Sequence, residues 1–422
     1  MMILTATKLC LAVACGLLIA AVGRSAAAGD WPCWRGPDGN GISRETGWLD
    51  RWPAGGPPIA WKASVGTGYS SVAVKDGRLL TMGSRENTDV VHCLDAATGK
   101  TLWRHSYPSP LDDRFFAGGP TATPAIDGRH VYTLGRQGDL FCLEAATGKV
   151  RWSVNVAKAA GVRVPGWGFA GSPVVLNHRL LLNVGEAGTA VDKSTGKVLW
   201  TSADRDAGYT TPLPIQRGGR SIMILASGKY YHAVDIETGK QLWRHRWLTT
   251  FGCNAADPIV RGDRLYISSA YNRGAALLDL SADPPAVVWT NKQMQNQFSS
   301  SVLIDGHLYG IDGSDRAKTR LTCMELLTGK LRWSHELEGM GSLTAAGGKL
   351  IVLDEPGVLL LARAMPDAFR PLARAKVTTG KCWTAPVLAG GRIYCRSDDG
   401  TLVSVDVRIE KDKQPIPTRT DP

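Results

Sequence analysis

The stretch Cys93-Leu-Asp-Ala-Ala-Thr-Gly-Lys-Thr-Leu-Trp103 decides the fold, because it returns along the chain. It recurs as Cys142-Leu-Glu-Ala-Ala-Thr-Gly-Lys-Val-Arg-Trp152 and as Ala190-Val-Asp-Lys-Ser-Thr-Gly-Lys-Val-Leu-Trp200. Further copies end at Trp243 and Trp333, and a degenerate one runs from Leu277 to Trp289 with Asp283-Pro-Pro in the turn. Successive Trp residues from Trp103 to Trp333 lie 49, 48, 43, 46 and 44 positions apart, and Trp61 precedes Trp103 by 42. Self-similarity at this period marks propeller blades.

Each unit opens on an apolar strand after small residues: Ser70-Ser71-Val72, Ser172-Pro173-Val174, Thr211-Pro212-Leu213, Asp257-Pro258-Ile259, Ser300-Ser301-Val302. A tight turn such as Asp76-Gly77, Asp127-Gly128 or Gly390-Gly391 supplies the positive φ that a two-residue hairpin needs. A second apolar strand follows. The third carries the Cys-Leu-Asp segment, and Thr-Gly-Lys turns the chain into the fourth, which carries Trp. Four antiparallel strands per repeat, with the opening strand met eight times, predict an all-β, eight-bladed propeller. The seventh unit lacks its Trp and ends in Ala373-Arg-Ala-Lys-Val377. The eighth has three strands of its own (Thr384 to Val387, Gly391 to Arg396, Leu402 to Val407), so Ile59 to Ser64 must close it. Closure removes the exposed edge an open sheet would carry. The seven Trp residues at 61, 103, 152, 200, 243, 289 and 333 are then structural wedges, each burying on the order of 200 Å².

Residues 1–28 read as a signal peptide: Lys8, an apolar run from Leu9 to Gly23, and a small-residue site at Ala26-Ala27-Ala28. A periplasmic or secreted protein is expected, with no transmembrane segment after cleavage. Residues 29–56 form an N-terminal extension, 57–408 the propeller and 409–422 a flexible, Lys- and Pro-containing tail. Losing Lys8 and Arg24 with the leader takes the net charge from +11 to +9. Lys and Arg are scattered, with no run of five, so a solvated surface is expected and no nucleic-acid partner. Of nine Cys, seven lie beyond the leader; Cys93, Cys142 and Cys323 share one repeat position and read as core. Export permits disulfides. Cys382 with Cys395, or Cys33 with either, are the pairs left open. No Cys-x-x-Cys pair, no His pair at metal spacing and no nucleophile elbow is present.

The repeat Ala/Cys-x-Asp-x-x-Thr-Gly-Lys-x-x-Trp resembles the tryptophan-docking repeat of pyrroloquinoline quinone (PQQ) propellers, the quinoprotein alcohol dehydrogenase-like superfamily. The likeness covers about Pro57 to Arg408. Together with the opening Trp31-Pro-Cys-Trp-Arg-Gly-Pro-Asp-Gly-Asn-Gly, the chain is similar to the PQQ-like repeat proteins of bacteria, a group that includes the propeller subunit of the outer-membrane protein assembly (Bam) machinery. Two functions follow from the resemblance: a binding or assembly scaffold, or a PQQ- and Ca²⁺-dependent dehydrogenase of an alcohol or sugar. Those enzymes hold the quinone between a Trp and a ring of two adjacent disulfide-bonded Cys, and coordinate Ca²⁺ with Glu, Asn and Asp. No two Cys are adjacent here. Glu186, Asn254 and Asp257 are the metal candidates the resemblance suggests; alternatively Asn254 and Asp257 only cap the turn before Pro258.

Aromatic residues crowd the inter-blade loops at one end: Tyr69, Arg114-Phe115-Phe116, Trp167, Tyr209, Trp247, Phe298 and Trp383. Arg114, Trp167, Tyr209, Asn254, Asp257 and Trp383, from different blades, are the candidate ligand- or cofactor-binding set at the channel mouth. Such a set suits a protein, a glycan or a flat cofactor; the competing expectation is that it plugs the channel. A monomer is expected. No catalytic residue is named.

Overall fold

The computed structural model describes residues 29–114, 116–313 and 318–409. The expected leader (1–28), Phe115 and residues 410–422 of the expected tail lie outside the described residues. Eight sheets, each built on four antiparallel strands, stand in chain order, one per repeat, and one of them gains a fifth, parallel strand. Blade 1, with strands Ala73–Lys75, Arg78–Arg85, Thr88–Asp95 and Thr101–Pro108, sets the pattern. The innermost strand has only three residues, because eight must converge on a narrow axis. Blade 8 is completed by Ile59–Ser64, antiparallel to Thr401–Asp406 with Trp61 opposite Ser404, as the sequence requires.

The outermost strand of each blade carries a bulge beside the Trp, as at Cys93/Leu94 opposite Trp103. The extra residue turns the indole toward the next blade. Trp61 Nε1 donates to Ala96 O, Trp103 to Ala145 O, Trp152 to Lys193 O and Trp200 to Ile236 O. The ring lies flat on the Thr-Gly turn of that next blade. A Cβ on Gly148 would stand 2.5 Å from Trp103 Cε3, and its φ of +72° also demands glycine. Trp61 and Trp103 are buried, while the other five repeat Trp residues are half-buried.

Blade 7 breaks the rule. Ala373 occupies the Trp register, opposite Leu361 at the bulge. Trp48 and Trp52 of the N-terminal extension pack into the same core cluster as Ala373 and Ala375, filling the space that an indole occupies elsewhere. The extension is therefore built into the ring. Trp31 exchanges backbone hydrogen bonds with Val74 of blade 1, and Pro32 O accepts from Ile126 N of blade 2. On the far side Ile42–Ser43 pairs in parallel with Ser342–Ala346 of blade 7. Glu45 then accepts from the Gly390 and Gly391 N–H groups of blade 8. Residues 31–45 thus cross the central channel and block it. A short helix, Val156–Ala160, capped by Asn155 and ended by Gly161 at φ +67°, is an addition the strand periodicity gave no sign of.

Candidate functional site

The segment before each innermost strand places a small polar residue at the channel. These residues form a seam in which one blade's N–H donates to the next blade's side chain. Ser71 N bonds Thr123 Oγ1, Thr123 N bonds Ser172 Oγ, and Ser172 N bonds Thr211 Oγ1. Thr211 N bonds Asp257 Oδ1, and Asp257 N bonds Ser300 Oγ. Hydroxyls serve at the neighbouring seam positions; blade 5 alone in this run supplies a carboxylate. Its second oxygen faces the channel plug. Trp34 Nε1 donates to Asp257 Oδ2 at 2.6 Å, and Arg35 Nε stands 3.9 Å from the same oxygen. The Arg35 side chain is 9% exposed, and its NH2 also donates to Ser301 O and Asn40 O. Burial pushes the Asp257 carboxyl up, with Arg35, Trp34 and the Thr211 N–H pulling against it.

Above this floor lies a cavity of about 570 Å³, open at the mouth end and within the range of ligand sites. Nine of its described lining residues are aromatic. Four form a run of touching rings. Phe298 stacks on Trp383 at 4.5 Å, Trp383 on Tyr69 at 5.5 Å, and Phe116 leans on Tyr69 at 5.6 Å. A second run faces it, with Trp167 edge-on to Tyr209 at 5.6 Å and to Phe251 at 6.4 Å, and Phe251 edge-on to Tyr271 at 5.1 Å. Arg136 joins the two runs: its guanidinium lies 4.9 Å over Phe116 and donates to Trp167 O. Gln297, next in sequence to Phe298, donates to Tyr271 Oη at 2.8 Å. Trp383 and Tyr209 come from blade junctions four steps apart on an eight-membered ring, so they approach from opposite sides.

Of the six residues expected at the mouth, Trp167, Tyr209, Asp257 and Trp383 line this one cavity. The structure does not bring the other two to its wall. Arg114 turns outward, 71% exposed, and forks onto Asp112 at 2.8 and 2.9 Å. Asn254 is buried: its Nδ2 donates to Ser227 O and Trp247 O, and its Oδ1 accepts from Ser269 Oγ. Glu186 faces Arg205 at 3.7 Å. The aromatics Phe169 and Trp247 are fully buried and act as packing. Trp34, Phe251, Cys253 and Tyr271 line the cavity without having been singled out. An Asp where neighbouring repeats carry Ser or Thr was the sequence signal that could have led to Trp34 and Arg35.

A PQQ–Ca²⁺ pair does not fit these residues. Asn254 has both ends of its amide engaged, Asp257 holds an indole, an amide N–H and a guanidinium, and Glu186 faces an arginine. Among the described residues no group of three or more His, Cys, Asp or Glu could hold a metal ion. The seven described cysteines are unbridged; Cys382 precedes the innermost strand of blade 8 rather than lying on a strand beside Cys395.

The sequence matches the family described as outer membrane protein assembly factor BamB over residues 51–120 and, overlapping them, 87–335. It is 24% identical to the outer membrane protein assembly factor BamB of Escherichia coli (strain K12) over 375 residues, or 83% of this chain and 88% of that protein. The crystal structure of BamB from Moraxella catarrhalis is similar at a TM-score of 0.63 and 17% identity, covering 83% of this chain and 99% of that one. A quinohemoprotein alcohol dehydrogenase from Comamonas testosteroni is similar at a TM-score of 0.65 and 14% identity, covering 93% and 82%. At such identities the structural likeness speaks for the propeller alone.

Proposed function

Since the chain belongs to the family of outer membrane protein assembly factor BamB, we propose that it is a non-enzymatic binding and assembly scaffold of the periplasm, with the channel mouth as its ligand site. A periplasmic place is the one on which the leader sequence and relatives named for outer membrane protein assembly agree. One observation supports the mouth most: seven of the eight blade junctions send side chains to a single cavity. Junctions that only connect strands need turn residues there, not Trp, Tyr and Phe. Among the described residues no helix is long and apolar enough to cross a membrane.

The dehydrogenase alternative has the fold likeness in its favour and the engaged donors against it. Calorimetry with PQQ plus Ca²⁺ on the chain from residue 29 separates the two. A scaffold gives no saturable heat; stoichiometric binding would replace this reading with the enzyme. Deleting the chain from its producing cell should also lower the amount of folded outer-membrane protein. Undiminished levels would remove assembly from the proposal.

A further inference from the structure

The charge of the guest can be derived from the walls, taking the mouth as the ligand site proposed above. Asp257 is the one charged residue among the described lining residues, and Arg35 lies directly behind it. The pair presents no net charge to the cavity. The cations Arg136 and Lys381 beside the mouth are engaged by the protein's own groups, Arg136 sharing the Asp112 carboxylate with Arg114. Arg136 directs three donors at the backbone oxygens of Trp167 and Asp112 and stands 3.8 Å from the Asp112 carboxylate. Lys381 Nζ is 3.8 Å from Asp398 Oδ2 and 4.8 Å above the Trp383 ring.

An anionic guest would find no free guanidinium or ammonium at the wall, and so would lose its hydration without replacement. A cationic guest would gain cation–π attraction from the rings, but with Asp257 already tied to Arg35 and Trp34 it would find no free counter-charge to replace the hydration it sheds. What the cavity does offer is aromatic surface on opposite sides, which rewards a flat ring system through offset stacking and edge contacts. Of the aliphatic hydroxyls on the wall, Ser172 and Thr211 accept within the seam, and Thr121 and Thr384 donate to backbone carbonyls. We infer that the mouth cavity is a binding site for an uncharged, planar aromatic molecule or group.

A matched series of probes tests this: 2-naphthylmethanol, 2-naphthoate and 2-naphthylmethylammonium, titrated by calorimetry into the chain from residue 29. The neutral probe should bind about tenfold more tightly than either ion, the ions having to shed water into an apolar site. Trp383→Ala and Trp167→Ala should each weaken it by about tenfold, the worth of one aromatic pair. Arg35→Gln, by exposing the Asp257 charge, should turn the preference toward the ammonium. Asp257→Asn should turn it toward the naphthoate. A charged probe that binds the unaltered protein best would overturn the neutral class and leave the ligand site standing. If all three fail to saturate, the ligand site itself falls.

Discussion

The two ends of the ring are built on opposite plans. At the Thr-Gly end the solution is repeated: an acid of the third strand accepts from the backbone and hydroxyl of the turn Thr. This occurs at Asp95 with Thr98, Asp192 with Thr195 and Asp235 with Thr238. The preceding blade's indole then covers the turn glycine. At the mouth end no two junctions are alike, and their bulk is aromatic. One end is repetition under a packing constraint; the other is variation that packing does not demand. Stability should therefore reside at the first and recognition at the second.

Closing the ring comes before either end, and carries the largest expected effect. Removing residues 29–64 takes away the fourth strand of blade 8, the channel plug and the Trp48/Trp52 filling of blade 7. Such a chain should show no cooperative thermal transition by circular dichroism. Removing residues 410–422 should leave the melting temperature unchanged. Equal melts for both truncations would break the closure.

The contrast between ends is sharpened by two indoles. Trp103→Ala should cost about 3–5 kcal/mol, the range for a buried aromatic, since Trp103 is 8% exposed and bonded to Ala145 O. Trp383→Ala, in a loop, should cost about 1 kcal/mol, close to a surface change. Chemical denaturation measures both. A larger loss at Trp383 than at Trp103 would reverse the assignment of the ends.

Asp257 sits where the plans meet, holding both seam and plug. Asp257→Asn keeps the shape and an acceptor for Thr211 N but strips Arg35 of its counter-charge. A broken buried pair costs about 3 kcal/mol. Limited proteolysis should then cut near Trp34 in the variant and not in the parent. Resistance equal to the parent's would mean the plug is held by its backbone bonds to Val74 and Ala345.

The same contrast governs what was legible in the sequence. Blade count, strand order and closure by Ile59 to Ser64 follow from repeats, since every copy restates the same packing problem. Four mouth residues were legible as aromatics or an acid out of place in a turn. Arg114 and Asn254 were not, because residue type does not fix direction: one is turned out by Asp112, the other drawn in by Ser227, Trp247 and Ser269. The plug was illegible for a further reason. Trp31, Trp34 and Arg35 belong to no repeat, and their partners lie as far as 266 residues away.

Acids at the two ends should also titrate differently, the smallest of these effects. Thr195 and the turn backbone hold Asp192 below the usual carboxylate range. At the mouth end burial pushes Asp354, 4% exposed, up to about 6. An unfolded Asp titrates near 3.9. Between about pH 4 and 6 the folded state therefore holds more protons than the unfolded one, and linkage makes stability fall as pH rises through this window. Below it both states are protonated, and above it both are ionised, so the contribution is full at low pH and lost by about pH 6. One pKa unit is worth 1.36 kcal/mol, so a rise from about 3.9 to about 6 makes the loss about 2–3 kcal/mol. Asp354→Asn should flatten this part of the stability–pH curve, measured by denaturant unfolding at pH 4, 5, 6 and 7. If the slope between the first three points is the same in the variant, the titrating acid lies elsewhere on the mouth face, with Asp89 and Asp312, both raised by burial, next to be substituted.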